Sequence, residues 1–135
     1  MLCEIWGISL FVKKLQFKRN SMKHLDVNYE RNEKRILKEL KDIVGEIGGN
    51  RIVKIVLYGS KARGDYDSKS DIDIAIIVRG LTRELKNRIL DAIADLEVKY
   101  LMPISALVIS EEDFEFLKKR ERRIALDIER EGIPL

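Results

Sequence analysis

Two short apolar segments with a glycine-serine turn between them constrain the fold of this chain most strongly. Residues 52–58 run directly into Gly59 and Ser60, and the second segment covers residues 72–78. Short apolar runs bounded by turn residues are typical of buried β-strands. The second segment is apolar on both faces beyond its first residues, which is typical of a central strand. The chain is therefore expected to form a small sheet with a tight turn at the end of its first strand.

Two carboxylates at the start of the second strand are candidate metal ligands and catalytic residues. Side chains alternate along a strand, so Asp71 and Asp73 should point to the same face, about 6.5–7 Å apart at their Cα atoms. Mg²⁺ prefers oxygen ligands and completes its shell with water and substrate phosphates. Phosphoryl and nucleotidyl transfer with two metal ions places them about 3.5–4 Å apart, a span that this pair can bridge.

The turn after the first strand is a candidate phosphate-binding site. Gly59 allows a sharp turn and close backbone approach. Ser60 can cap a short helix over residues 60–63, whose N–H groups would face an anion. Arg63 lies on that helix, where its guanidinium could bind phosphate oxygens in bidentate fashion or simply remain solvated.

Together these residues form the pattern Gly-Ser-x10-Asp-x-Asp, because ten residues separate Ser60 from Asp71. The chain resembles the minimal nucleotidyltransferases of the DNA polymerase β nucleotidyltransferase superfamily over about residues 29–133, and its closing residues 127–133 resemble the end of the family's last helix. The resemblance implies an α/β (α+β) core with a small mixed sheet flanked by helices. It also implies two Mg²⁺ ions, ATP as substrate, and roles for Gly59, Ser60, Arg63, Asp71 and Asp73 in the site.

The resemblance further implies an enzyme that transfers AMP from ATP to a hydroxyl group. Minimal members pair with HEPN-domain proteins as toxin–antitoxin systems, and some add AMP to a tyrosine of the toxin. Two alternatives remain open. One is a catalytically impaired antitoxin that binds nucleotide and occludes its partner, and the other is nucleotide addition to RNA, suggested by the basic run at residues 118–123.

One position departs from the family pattern. Members usually carry a third Asp on the strand beside the Asp-x-Asp strand, and the corresponding residue here is Ser105. A hydroxyl is a poor Mg²⁺ ligand and a weak base. Glu97, Glu111 and Glu112 are candidate substitutes, and the spacing favours none of them. Nucleotide binding is thus a safer expectation than turnover.

Composition is consistent with a single small catalytic domain. Cys3 and His24 are the only residues of their types, so an intrachain disulfide is excluded and a zinc site is disfavoured. We therefore expect a cytoplasmic protein. Residues 1–24 carry a net charge of +4, so residues 25–135 sum to −1 and the core is nearly neutral. Nucleic-acid binding is therefore possible but not favoured.

The first residues are expected to form an extension rather than part of the core. Residues 2–12 are mostly apolar but too short to span a membrane, and their positive charges follow the apolar stretch instead of preceding it. We expect residues 1–21 to be an N-terminal extension and residues 22–135 to form the nucleotidyltransferase domain, with Met22 as a plausible start. An interaction segment at residues 1–21 is the functional alternative.

The remaining elements follow from helical periodicity and capping residues. Three helices are expected: residues 28–47, a helix capped by Thr82 that ends before Pro103, and a last helix from residue 111 to Gly132. A third strand is expected at residues 104–109. The last helix should bury a stripe consisting of Phe114, Leu117, Ile124 and Ile128.

Overall fold

The structure, a computed structural model, describes the backbone of residues 19–64 and 70–135 and the side chains of residues 30–64 and 70–135. Its elements in chain order are α1 (Arg19–Gly48), a 3-10 turn (Gly49–Arg51), β1 (Ile52–Tyr58), α2 (Gly59–Arg63), β2 (Ile72–Val78), α3 (Arg83–Tyr100), β3 (Ile104–Ser110), α4 (Glu111–Lys119), α5 (Arg123–Glu131) and β4 (Ile133–Pro134). Most of the expected N-terminal extension, residues 1–18, lies outside the described residues.

The four strands form one mixed sheet in the order β3-β2-β1-β4. β1 runs antiparallel to β2 and to β4, and β2 runs parallel to β3. The α/β prediction of a small mixed sheet flanked by helices is confirmed. β2 is central, as expected from its apolar character on both faces, and the bounds of β1 and β2 match those predicted from the sequence.

Helices cover both faces of the sheet. On one face, α1 and α3 pack their apolar stripes against alternate residues of the strands. On the other face, Phe114 of α4 and Ala125 and Ile128 of α5 pack against Val56, Ala75 and Ile77. Within the described part of the chain, no helix has both the length and the apolar character needed to cross a membrane.

Side-chain caps fix the starts of two helices. Thr82 Oγ1 accepts a hydrogen bond of 3.1 Å from the backbone N–H of Leu85, as the sequence predicted for the start of α3. Ser110 Oγ accepts one of 3.1 Å from the N–H of Asp113 at the start of α4. Because β3 leads directly into α4, this cap sets where the last part of the chain leaves the sheet.

Two helix predictions differ from the structure. α1 begins at Arg19, well before the expected start at residue 28 and also before the expected domain start at residue 22. The single last helix is in fact two helices, α4 and α5, separated at residues 120–122, where Glu121 takes a left-handed conformation with φ +52°. This break rotates the second half, so that Ala125 is buried while Ile124 is 39% exposed, contrary to the predicted stripe.

Two further details, at the start of α2 and after α5, differ from the sequence predictions. The short helix α2 begins at Gly59, Tyr58 occupies its N-cap position, and no side chain caps it. The expectation that Ser60 caps this helix was therefore wrong. The chain also continues past Gly132 into β4, a two-residue strand that pairs with β1 through Val56 and Leu57.

Candidate active site

Strand pairing brings the predicted site residues to one end of the sheet. Asp73, the second residue of β2, lies directly opposite Tyr58 on β1 and opposite Ser105 on β3. Asp71 precedes β2 by one residue, and its negative charge acts on the Asp73 carboxylate. Ser105 is exposed. The register thus places Ser105 in the neighbouring-strand position at which the sequence comparison with the family expected a third carboxylate.

Gly59 shapes the site because it lies against the Asp73 carboxylate. Its φ of +74° falls in the left-handed region that side chains other than glycine rarely adopt. A β-carbon at this position would overlap Asp73 Oδ2 and lie only 3.1 Å from Asp73 Cγ. The turn between β1 and α2 therefore requires glycine for two separate reasons, its backbone conformation and the space that the carboxylate occupies.

The electrostatics of Asp73 suit a bound cation. Burial and the negative charge of Asp71 raise the pKa of Asp73, while the positive charges of Arg63 and Lys61 oppose this rise. Two carboxylates that repel each other while partly removed from water match the donor set that a hard divalent cation prefers. Among the described residues, no group of three or more potential metal ligands is assembled. The residues present fit a cation held by Asp71 and Asp73, with water and phosphate oxygens completing its shell.

A buried ion pair anchors the nucleotide turn to the first helix. Lys61 of α2 has a fully buried side chain, and its Nζ donates to Glu33 Oε2 of α1 at 3.3 Å. The Glu33 side chain is only 12% exposed. Because an uncompensated buried charge is costly, the Lys61 ammonium compensates the nearly buried carboxylate of Glu33. The pair ties α2 to α1.

An exposed ion pair joins the same turn to the last helix. Arg63 Nη1 donates to Glu131 Oε2 at 3.1 Å, linking the end of α2 to the end of α5. Arg63 also exerts its positive charge on Asp73. The guanidinium predicted to bind phosphate therefore contacts the last helix, and its charge acts on Asp73.

The three candidate substitutes for a third carboxylate differ in their position relative to the site. Glu97 lies near the end of α3. Burial, and then the negative charge of Asp71, raise the pKa of Glu97, while a hydrogen bond with the backbone of Ile104 lowers it. Glu111 and Glu112 begin α4, at the far end of β3 from the site. Only Glu97 is close enough to influence the carboxylate pair.

Tyr58 forms one wall of the site. It is half-buried on β1, and burial followed by the charges of Asp73 and Asp127 raises the pKa of its hydroxyl. Asp127 belongs to α5, so this helix contributes a negative charge near the Tyr58 hydroxyl. A tyrosine with a raised pKa stays protonated and acts as a hydrogen-bond donor.

Sequence reasoning did not identify Glu33, Lys61 or Glu131 as parts of this site. One signal for Glu33 was available, since it lies at helical spacing from Ile36 and Leu40 on the buried stripe of α1. A charged residue on such a stripe needs a buried partner. No comparable signal pointed to Glu131, because it is exposed and far from Arg63 in sequence.

Most of this chain matches a known family of protein domains. Residues 34–130 match the family model for the nucleotidyltransferase domain, and this match runs from within α1 to one residue before the end of α5. The chain belongs to the nucleotidyltransferase family. The family assignment made from the Gly-Ser-x10-Asp-x-Asp pattern is thus confirmed, and with it the interpretation of the chain as a nucleotidyltransferase.

Two relatives are proteins of Methanocaldococcus jannaschii that are provisionally named protein adenylyltransferases. One is 35% identical over 74 residues, covering 54% of this chain and 75% of the relative. The other is 41% identical over 83 residues, covering 62% of this chain and 79% of the relative. A solved structure provisionally described as a minimal nucleotidyltransferase shares the fold, with a TM-score of 0.52, 23% identity, and coverage of 79% of this chain and 95% of that one.

Proposed function

We propose that this nucleotidyltransferase transfers AMP from ATP to a hydroxyl group of a partner protein, with Mg²⁺ as its metal. The observation that carries this proposal is the close approach of the Gly59 turn to the Asp73 carboxylate. It supports a site in which the turn would bind phosphate beside a cation held by Asp71 and Asp73. The similarity to two proteins named as protein adenylyltransferases supports a protein acceptor.

The reaction assigns a role to each part of the site. The acceptor oxygen attacks the α-phosphorus of ATP, the bond between the α-phosphorus and the bridging oxygen breaks, pyrophosphate leaves, and the hydroxyl proton passes to solvent. The Gly59-Ser60 backbone and Arg63 hold the phosphates. Asp71 and Asp73 hold the cation, which when bound would neutralise phosphate charge. Positioning and charge stabilisation supply most of the catalysis in such transfers.

The proposed acceptor is a HEPN-domain protein, so the enzyme would act as the antitoxin of a cytoplasmic toxin–antitoxin pair. Its support is the resemblance to minimal nucleotidyltransferases, whose members pair with HEPN-domain proteins, together with the similarity to two proteins named as protein adenylyltransferases.

Ser105 favours a second candidate, an antitoxin that binds nucleotide but neutralises its partner by occlusion. Ser105 lies opposite Asp73 but supplies no carboxylate. Since residue 105 is exposed, Ser105→Asp should fold normally and place an oxygen ligand beside the pair. Raised AMP transfer in this variant would indicate that the wild-type site lacks a ligand. A wild type that is inactive yet still neutralises its partner would favour occlusion.

Nucleotide addition to RNA has weaker support. Within the basic run at residues 118–123, Lys118 is engaged by Glu115 at 3.2 Å and by Glu129 at 3.4 Å. Arg120 lies 4.8 Å from the centre of the Phe116 ring. These contacts are typical of a solvated helix face rather than of a surface that tracks a phosphate backbone.

One experiment separates the three functions. ATP labelled at the α-phosphate is incubated with Mg²⁺, this protein, a candidate HEPN-domain partner and total RNA. We expect label on the partner protein. Label on RNA would support the third function, and binding without any transfer would support occlusion.

A further inference from the structure

Glu131 and Arg63 connect the C-terminal helix to the nucleotide turn across the fold. Their side chains are 38% and 41% exposed and meet at 3.1 Å. The two residues are separated by 68 positions in sequence, so tertiary structure alone brings them together.

β1 fixes the backbone next to Glu131 and the backbone next to Arg63. Gly132, the residue after Glu131, packs so closely on β1 that a β-carbon would overlap Val56 Cγ1. β4 then pairs with β1 in antiparallel register. At its other end, β1 leads directly into α2, which carries Arg63. Because one strand holds both partners, the position of Glu131 relative to Arg63 is set by the sheet.

Helix stability does not explain a carboxylate at position 131. Glu131 is the last residue of α5, and a negative charge there faces the negative end of the helix dipole. An isolated exposed ion pair also contributes little to stability. The charge of Arg63, by contrast, reaches Asp73 in the site. Glu131 is therefore better explained by what it does to Arg63.

We propose that Glu131 is a positioning residue for nucleotide binding, which holds one nitrogen of the Arg63 guanidinium and so aims its other N–H groups at the nucleotide phosphates. A guanidinium carries five N–H donors in a rigid fork, so one carboxylate can fix its orientation while other donors serve a phosphate. This inference rests on the proposed function, because it requires that Arg63 contacts the phosphates of bound nucleotide.

A double-mutant cycle on the full-length chain tests it. Binding of α,β-methylene-ATP with Mg²⁺, an analogue that adenylyl transfer cannot cleave, is measured by calorimetry for the wild type, Arg63→Ala, Glu131→Gln and the double variant. We expect Arg63→Ala to weaken binding by about tenfold or more. Glu131→Gln should weaken it by about three- to fivefold, and should have no further effect when Arg63 is already Ala.

A matched control separates a loss of Arg63 orientation from a general structural effect of replacing a carboxylate on this helix. Glu129 lies on the same helix, is 37% exposed, and pairs with Lys54 and Lys118, neither of which belongs to the site. Glu129→Gln should change binding by less than about twofold. Unfolding midpoints of all variants are recorded beside the affinities, so that a loss of folding is not taken for a loss of orientation.

The outcomes that overturn the inference are distinct from those that overturn the proposed function. If Arg63→Ala weakens binding but Glu131→Gln behaves like Glu129→Gln, tightens binding, or acts equally in both backgrounds, Glu131 does not act through Arg63. If Arg63→Ala itself leaves binding unchanged, the proposed phosphate contact of Arg63 fails, and this inference fails with it.

Discussion

Gly59, directly after β1, and Asp73 of β2 lie so close together that there is no room for a β-carbon at residue 59. The residue that turns the chain and the residue that would bind the cation therefore cannot vary independently. This relationship links the two halves of the Gly-Ser-x10-Asp-x-Asp pattern physically, since the backbone at residue 59 can approach the carboxylate so closely only if that residue is glycine.

The first prediction concerns Gly59→Ala, for which Gly64 provides a matched control. Both glycines have a positive φ, +74° and +79°, but a β-carbon at Gly64 would meet nothing within 4 Å. Each substitution should cost about 1–2 kcal/mol of stability through backbone strain. Only Gly59→Ala should also displace the Asp73 carboxylate and abolish thermal stabilisation by Mg-ATP, which at 100 times its dissociation constant is about 2.7 kcal/mol. Equal responses to nucleotide in the two variants would contradict this account.

The second prediction follows from the raised pKa of Asp73. A carboxyl whose pKa is higher in the folded than in the unfolded state destabilises the fold when ionised, and this cost disappears as pH falls through the folded pKa. With metal chelated, Asp73→Asn should therefore unfold at a higher temperature than the wild type at pH 7. The difference should narrow as the pH is lowered toward 4. As a control, Asn in place of the exposed Asp95 should leave the unfolding temperature at pH 7 nearly unchanged. A difference between Asp73→Asn and the wild type that stays constant at all pH values would rule out ionisation of Asp73 as the cause.

The sequence predicted those parts of the structure that depend on local patterns. Apolar runs bounded by turn residues located β1 and β2 correctly, and the spacing of the motif predicted that Asp73 lies near Gly59. The break at Glu121 was missed because residues 111–131 contain neither Gly nor Pro and keep helical spacing across the break. β4 was missed because two residues, one of them Pro134, carry no periodic signal.

The tertiary ion pairs could not be predicted from the sequence, for a different reason. Glu33 and Lys61 are 28 positions apart, and Arg63 and Glu131 are 68 positions apart. Spacing rules for side-chain pairs apply within one helix or between adjacent strands, and neither pair is of that kind. The motif could thus be identified from sequence, but the residues that hold it in place could not.

The third prediction addresses the buried pair of Lys61 and Glu33. Lys61→Met should destabilise the protein by about 3 kcal/mol, because it leaves the carboxylate of Glu33 in an environment that is only 12% exposed. Adding Glu33→Leu should recover a large part of this loss, since both charges are then absent. Urea denaturation of the two single variants and the double variant measures the coupling, and strictly additive losses would show that the pair does not act as a unit.

The fourth prediction concerns the carboxylate at Glu97. Because its charge interacts with Asp71, Glu97→Gln should weaken Mn²⁺ binding at the site by about two- to threefold, as expected for an interaction near 0.5 kcal/mol. Glu112, at the far end of β3, provides the control, and Glu112→Gln should leave Mn²⁺ affinity unchanged. Water-proton relaxation by bound Mn²⁺ gives the affinities, and equal values for the two variants would remove Glu97 from the site.

The central claim, transfer of AMP by the Asp71 and Asp73 site, is tested most directly with ATP labelled at either the α- or the γ-phosphate. With Mg²⁺ and a HEPN-domain partner present, label from the α-phosphate should become covalently attached to the partner, and label from the γ-phosphate should leave with pyrophosphate. Replacing both aspartates by Asn should abolish the attachment. Attachment of the γ-label, or α-label transfer that persists in the double variant, would contradict the account.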